Sequence, residues 1–429
     1  MNRLCNNPSS PIKITKICVR DIHKPRDFTI DNTHTELVTD VNSILNDTTI
    51  DLVIEVAGGT SSTIKGAVFD ALRGGKSVVT ANKALIAEYL EEIVALVDEV
   101  NGNNNSSNKG VVKFGYEASV CGGIPIIHTL QSSYKGDIIN EVSGICNGTT
   151  NFMLGKMMDE GAEYDTVLKE AQDLGYAEAD PTADVEGHDV RAKIAILAKL
   201  AFGVTVPITQ IPCKGITELS VVDFAYAKSM GCTIKLVGTA VRQSQFGEHD
   251  GALSVYVSPK LVPLDHLLAD AVGCGNAVAV DSANLGTASF TGPGAGRYAT
   301  ANSVVADVMR VANGTCPLTP FPLSSSSSSA GTGSSNSIDI DNDFESAFYI
   351  RISFQDGLGI IRSVGDLAES QGVSIHSILQ QPITDRMAAD TVVTTEACKY
   401  SQVKALCELI EKEDFALSAP VFMPMISDY

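Results

Sequence analysis

Apolar residues fall into two alternating spacings over the first 116 positions. Residues 12–19 carry them at nearly every second place, the pattern of a strand with one buried face. Residues 51–57 hold a short apolar run closed by Gly58-Gly59, as a strand buried on both faces does. Ile64, Ala67, Val68, Ala71 and Leu72 then recur at helical spacing up to Gly74-Gly75. Further strands are predicted over 77–80 and 111–116, with a helix over 85–100 between them. Strand and helix in alternation predict an α/β domain built on a doubly wound parallel sheet, here 1–116. Residues 101–108, almost all Asn, Ser and Gly, are predicted to be a surface loop.

From 117 to 297 the two periods mix. Strands are predicted over 138–145, 252–257 and 276–281, and helices over 164–174 and 189–203. This is an α+β domain inserted before a final helix, 298–315, returns the chain to the first domain. Six consecutive serines, 324–329, and the glycines and serines after them predict a flexible linker over 324–343. Beyond it, 344–429 shows strand, helix, two strands and helix, the order of a ferredoxin-like fold.

Charge and cysteine usage narrow the function classes. Lys and Arg number 31 against 51 Asp and Glu, and a net charge of −20 repels both phosphodiester backbones and anionic lipid. Neither a nucleic-acid nor a membrane partner is expected. The most apolar helical stretch, 194–204, is interrupted by Lys199, so no segment is predicted to span a bilayer. The ten cysteines include no Cys-x-x-Cys pair, which points to reduced thiols of an intracellular protein. Residues 1–8 have no signal-peptide apolar core.

The chemistry concentrates in 175–193, GYAEADPTADVEGHDVRAK. Five acidic residues precede or open a long apolar helix. Asp189 and Lys193 lie one helical turn apart and share a face, with Glu178 and Asp184 in the preceding loop. Such a group suits a small zwitterion, with carboxylates for an ammonium and a lysine for an oxygen that must gain a proton. The plainer alternative is a solvated helix start with an ordinary ion pair. Ile194, Ala195, Ile196, Leu197, Ala198 and Leu200 favour the first, because they draw the Lys193 stem inward.

In that motif Gly175, Tyr176, Glu178, Asp180, Pro181, Asp184, Gly187, Asp189 and Lys193 match the substrate motif of homoserine dehydrogenases. The resemblance continues, in order, through EVAGG at 55–59, TANK at 80–83, YEASVCGGIPII at 116–127, GICNGTTN at 144–151 and GPGAG at 292–296. It covers about 12–315, and 344–429 resembles the ACT regulatory module. The fold so implied is a Rossmann-type sheet, an α+β substrate and dimerisation domain, and a ferredoxin-like ACT domain. The implied reaction is NADPH-dependent reduction of L-aspartate 4-semialdehyde to L-homoserine in threonine, methionine and isoleucine biosynthesis, with NADH as a possible substitute. Lys193 would donate the proton, Asp189 would orient it, Lys83 would sit by nicotinamide and substrate, and Glu178 and Asp184 would bind substrate. Gly58, Gly59, Thr60, Lys83 and Gly296 would contact the cofactor, and Arg20, just past the first predicted strand, would take the 2′-phosphate of NADPH, although Asp21 follows it. Glu117, Val120, Gly122 and Ile124 match a loop whose carbonyls bind a monovalent cation, sodium in the family. A homodimer and an amino-acid effector such as threonine are also implied.

Two departures stand against this. No glycine precedes Gly58, so the strand, Gly-x-Gly-x-x-Gly turn and helix that open a dinucleotide domain are not found. The expectation is an N-terminally incomplete domain, binding NADPH weakly and prone to aggregate. The ACT turn, usually Asp-x-Pro-Gly, reads Asp356-Gly357-Leu358-Gly359. Two further readings therefore stay open: a catalytically impaired, amino-acid-sensing subunit, and the C-terminal half of a kinase–dehydrogenase fusion. The compartment, cytoplasm or plastid, is also left open.

Overall fold

Short parallel strands dominate the N-terminal part, as its short apolar runs predict. The computed structural model describes residues 12–30, 33–107, 110–243, 251–321, 338–383 and 385–426, with the side chains of 104–107 excepted. They divide into two compact units, 1–133 with 295–328, and 134–294 with 329–429.

In the first unit, β1 (Lys16–Cys18) pairs in parallel with β2 (Glu36–Val38). β3 (Leu52–Glu55), β4 (Ser77–Thr80) and β5 (Phe114–Gly115) form a separate parallel sheet in that order. Among the described residues no strand joins the two sheets. The helix Ser62–Arg73 starts behind Ser61, whose hydroxyl accepts the Ile64 amide. Helix Arg297–Ala312 returns to this unit, where Val304 and Val308 pack with Val79 and Ala118.

Residues 101–107 are not the predicted loop. Helix Lys83–Ser107, kinked at Tyr89, runs through them. The Asn101 carboxamide accepts from the Val112 amide at 2.8 Å and donates to its carbonyl at 3.1 Å, a tertiary anchor that overrides the weak helix propensity of asparagine. The same bonds occupy Val112, which shortens the strand predicted over 111–116.

The second unit is built on one ten-stranded sheet, ordered β10-β9-β6-β7-β8-β15-β11-β13-β12 with β14 paired to β11. Its strands are β6 (Ile139–Ile145), β7 (Cys232–Arg242), β8 (Leu253–Pro263), β9 (Gly275–Ser282), β10 (Gly286–Pro293), β11 (Glu345–Phe354), β12 (Ile375–Leu379), β13 (Ala389–Thr395), β14 (Cys398–Lys399) and β15 (Val421–Met425). Helix His188–Phe202 lies against this sheet where Gly238 leaves room: a Cβ there would stand 2.9 Å from Val190 Cγ1.

The C-terminal segment adopts β-α-β-β-α-β order, with helices Ile360–Ser370 and Tyr400–Ile410 and strands ordered β15-β11-β13-β12. It continues the sheet of the second unit. β15 pairs in parallel with β8, the Ile426 amide donates to the Leu261 carbonyl at 2.9 Å, and Phe344 stacks on Tyr256 at 3.7 Å. Of the predicted linker, 324–337 lie outside the described residues. Its end is pinned: the Leu253 amide donates to the Asp339 carbonyl, and Asn342 Oδ1 accepts from Val255. Likewise Gly292 and Pro293 are not part of an open glycine turn but the last residues of β10, and Gly294 sits so tightly on Asn276 that a Cβ would overlap its carboxamide.

Candidate functional site

The motif 175–193 folds so that its acids approach from two directions. Glycine is required at 187, where φ is 79°, to turn the chain from the short helix Thr182–Val185 into helix His188–Phe202. Asp189 and Lys193 then stand on the first turns of that helix. Their ion pair is short, Nζ to Oδ2 2.8 Å, and nearly sealed, with side-chain exposures of 9% for Asp189 and 11% for Lys193. The Lys193 ammonium also donates to the Cys146 carbonyl at 2.6 Å, just past the end of β6.

A residue to which the sequence analysis gave no role joins the parts. Asn147 caps helix Gly148–Glu160, its Oδ1 accepting the Thr150 amide at 2.9 Å. Its Nδ2 donates to Asp184 Oδ1 at 2.7 Å and to Asp189 Oδ2 at 2.9 Å. Burial, and then the charge of Asp189, push the Asp184 carboxyl above its ordinary value, against the pull of Asn147 and Lys193. Asn-Gly-Thr-Thr is a helix-start signal in any sequence. That its amide would also serve two carboxylates 37 and 42 residues away carries no local signature.

Glu178 stands apart from this cluster. It is exposed, and its backbone carbonyl accepts from Gln172 Nε2 at 3.2 Å. The nearby Tyr176 packs edge-on to Phe152, and its carbonyl accepts from Thr149 Oγ1.

The remaining predicted residues lie in the first unit. Gly58 and Gly59 follow β3 with φ of 75° and 84°, a turn open to solvent ahead of helix Ser62–Arg73. The turn is held from below. Glu55 accepts from the Ala57 and Gly58 amides, and through its other oxygen from Thr80 Oγ1 at 2.6 Å. Asn82 Nδ2 donates to the Gly59 carbonyl at 2.8 Å. Lys83, half-buried, opens the next helix. Thr60 lies directly before the Ser61 cap, and Gly296, with φ of 106°, opens helix Arg297–Ala312. Arg20 is exposed in the loop after β1, where the Arg26 guanidinium gathers the Asp21, Ile22 and Lys24 carbonyls.

In the loop 117–124, Glu117 is buried. Its carboxylate accepts from the amides of Ile127 and His128, and its own amide donates to Asp307. Burial, with the Asp307 charge adding, pushes its carboxyl up to about 7. Cys121 and Gly122 both take positive φ, 50° and 32°, which turns the backbone tightly here. The Gly122 carbonyl accepts from Ser303 Oγ, and that of Ile124 from the Ile126 amide. Each oxygen keeps a second lone pair. Among the described residues no group of three or more His, Cys, Asp or Glu could hold a metal, and no helix is long and apolar enough to cross a membrane.

Comparison with known proteins is consistent across the chain. The family model for homoserine dehydrogenase matches residues 125–309, and that for the homoserine dehydrogenase NAD-binding domain matches 1–103. The homoserine dehydrogenase of Bacillus subtilis is 39% identical over 408 residues, spanning 94% of this chain and 88% of its own. That of Synechocystis is 36% identical over 416 residues, spanning 97% and 92%. The crystal structure of the Thiobacillus denitrificans enzyme superposes with a TM-score of 0.82 at 30% identity, covering 97% of this chain and 90% of that one. A hyperthermophilic archaeal homoserine dehydrogenase in complex with NADPH matches at a TM-score of 0.52 and 26% identity, covering 64% and 75%.

Proposed function

The chain belongs to the homoserine dehydrogenase family, and from that premise we propose that Lys193 is the proton donor in the reduction of L-aspartate 4-semialdehyde to L-homoserine. The reaction is NAD(P)-linked. The reduced nicotinamide, when bound, supplies the hydride. The protein supplies the proton and the alignment. The observation that carries the assignment is the double anchoring of the Lys193 ammonium by Asp189 and the Cys146 carbonyl, in a place that is 9% exposed. An ammonium so held is fixed in position and delivers its proton to an oxygen as negative charge develops there. Asp189 orients it. Asp184 shares that cluster, and Glu178, exposed and apart from it, is assigned to the substrate ammonium. Lys83 is assigned to nicotinamide and substrate.

The donor groups suit a dinucleotide. The open turn Gly58-Gly59-Thr60 lets backbone approach a ligand closely, and Gly296 stands at a helix start. Arg20, exposed past β1, is assigned to a 2′-phosphate, which makes NADPH the favoured cofactor over NADH. The carbonyls of Glu117, Val120, Gly122 and Ile124 offer oxygen-only donors, the set a hard monovalent cation such as sodium takes. The C-terminal fold is assigned as an ACT-type site for an amino-acid effector such as threonine. A homodimer is the proposed assembly, since β10 and β12 each end the sheet on an edge that a second copy can extend.

Lys193→Ala tests the central assignment. Turnover should fall by about 10²–10⁴-fold while homoserine KM changes far less. Near-normal kcat would overturn it.

A further inference from the structure

We propose that Asn147 is a positioning residue for this reaction: its carboxamide holds the Asp184 and Asp189 carboxylates side by side and so fixes the Lys193 ammonium between Asp189 and the Cys146 carbonyl. The proposal rests on the assignment of Lys193 as proton donor. A primary amide has two N–H donors and one carbonyl acceptor. Asn147 spends all of its capacity here. One nitrogen serves both carboxylates, at 2.7 and 2.9 Å, while the oxygen accepts the Thr150 amide at 2.9 Å and Thr150 Oγ1 at 3.0 Å. The residue is 5% exposed, where such charge-assisted bonds are strengthened by the low local dielectric.

The consequence lies in what one nitrogen does to two anions. Two carboxylates bonded to a single Nδ2 are close enough to repel, and the interposed N–H groups, with the charge of Lys193, offset that repulsion. The Asp189 oxygen that accepts from Asn147 is the same one that accepts from Lys193. Its position is therefore shared between cap and ammonium. Without the two N–H groups the carboxylates separate, Asp189 leaves its place, and the ammonium loses that anchor. A lysine displaced by an ångström still binds substrate but delivers its proton poorly.

The cap and the bridge use different atoms, so substitution separates them. Asn147→Ser and Asn147→Asp both keep an oxygen that can cap helix Gly148–Glu160, and both remove the N–H donors. We expect Asn147→Ser to lower kcat by about 10–10²-fold with less than about a threefold change in homoserine KM. Its melting temperature should stay within a few degrees of the parent. Asn147→Asp should lose more kcat, because it adds a third carboxylate to the pair. Retention of kcat within twofold in Asn147→Ser, or a kcat for Asn147→Asp at least equal to it, would overturn the proposal. So would loss of folded structure, by circular dichroism, in both variants despite the retained cap, since the residue would then be structural. Lys193→Ala assayed alongside separates the two readings: intact turnover there sinks the proton-donor assignment, whereas its loss beside an intact Asn147→Ser sinks only this one.

Discussion

At the scale of single residues, spacing was informative where chemistry is local and silent where it is not. Asp189 and Lys193 are one helical turn apart in sequence, and the structure joins them at 2.8 Å. Asp184 and Asn147 meet across 37 residues, and nothing short-range foretold it. Their contact gives a pH prediction. The Asp184 carboxyl is raised by burial and by Asp189, so its ionised form gives way at a higher pH than an ordinary carboxylate would. If that ionised form binds substrate, kcat/KM should fall as pH drops through the raised value, and Asp184→Asn should flatten this acid limb. An unchanged limb in the variant would assign it to another group. Arg20 makes a different prediction. It is exposed, and a 2′-phosphate is present only on NADPH, so Arg20→Ala should raise the NADPH Kd by about tenfold or more and leave NADH nearly unaffected. Equal losses for both cofactors, by isothermal titration, would reduce Arg20 to a surface charge.

At the scale of elements, regular periodicity was legible and interrupted strands were not. Helix Tyr164–Asp173 and strand β9 fall within a residue of their predicted bounds. β7 was missed because Thr233, Lys235, Gly238 and Thr239 break its apolar run, although all of Cys232–Ala240 is buried in the sheet. Helix Val221–Ser229 was missed too, and it carries an ion pair of consequence. Its Asp223, fully buried, accepts from Arg351 Nε at 2.7 Å, from Tyr349 Oη at 2.9 Å and from the Ser220 amide. Arg351 and Tyr349 belong to β11, so this carboxylate ties the helix to the C-terminal strands. Asp223→Ala would leave the Arg351 guanidinium, 11% exposed, without its main partner. A loss of about 3–5 kcal/mol in urea unfolding is expected. A loss below about 1 kcal/mol would mean that water replaces the carboxylate there.

At the scale of the whole molecule, the serine-rich sequence suggested a regulator that could be cut away. A separable module would let deletion of 324–429 abolish inhibition and spare basal activity. The sheet argues otherwise. β8 lies between β7 and β15, so the deletion strips it of β15 at Leu261 and of the Asp339 and Asn342 contacts at Leu253 and Val255, leaving those stretches as open edge. It also strips Phe344 from Tyr256, a residue 5% exposed in the intact protein, and removes Arg351 from Asp223. Helix His188–Phe202, which carries Asp189 and Lys193, packs on the same sheet. The truncated chain should therefore aggregate or turn over far more slowly than the full one, as size-exclusion chromatography and initial rates would report. A monodisperse truncated protein with full-length kcat would show β15 to be dispensable. Effector sensitivity is better probed in the intact chain, at the turn between β11 and helix Ile360–Ser370. There Leu358 is wholly exposed and Asp356 pairs with Arg386 at 3.6 Å. Asp356→Ala leaves the sheet untouched. If the turn receives an amino-acid effector, the variant should keep its basal rate and lose threonine inhibition, raising the half-inhibitory concentration about tenfold or more, the effect of losing a single charge-assisted hydrogen bond. Undiminished inhibition at an unchanged basal rate would move the effector to another part of the molecule.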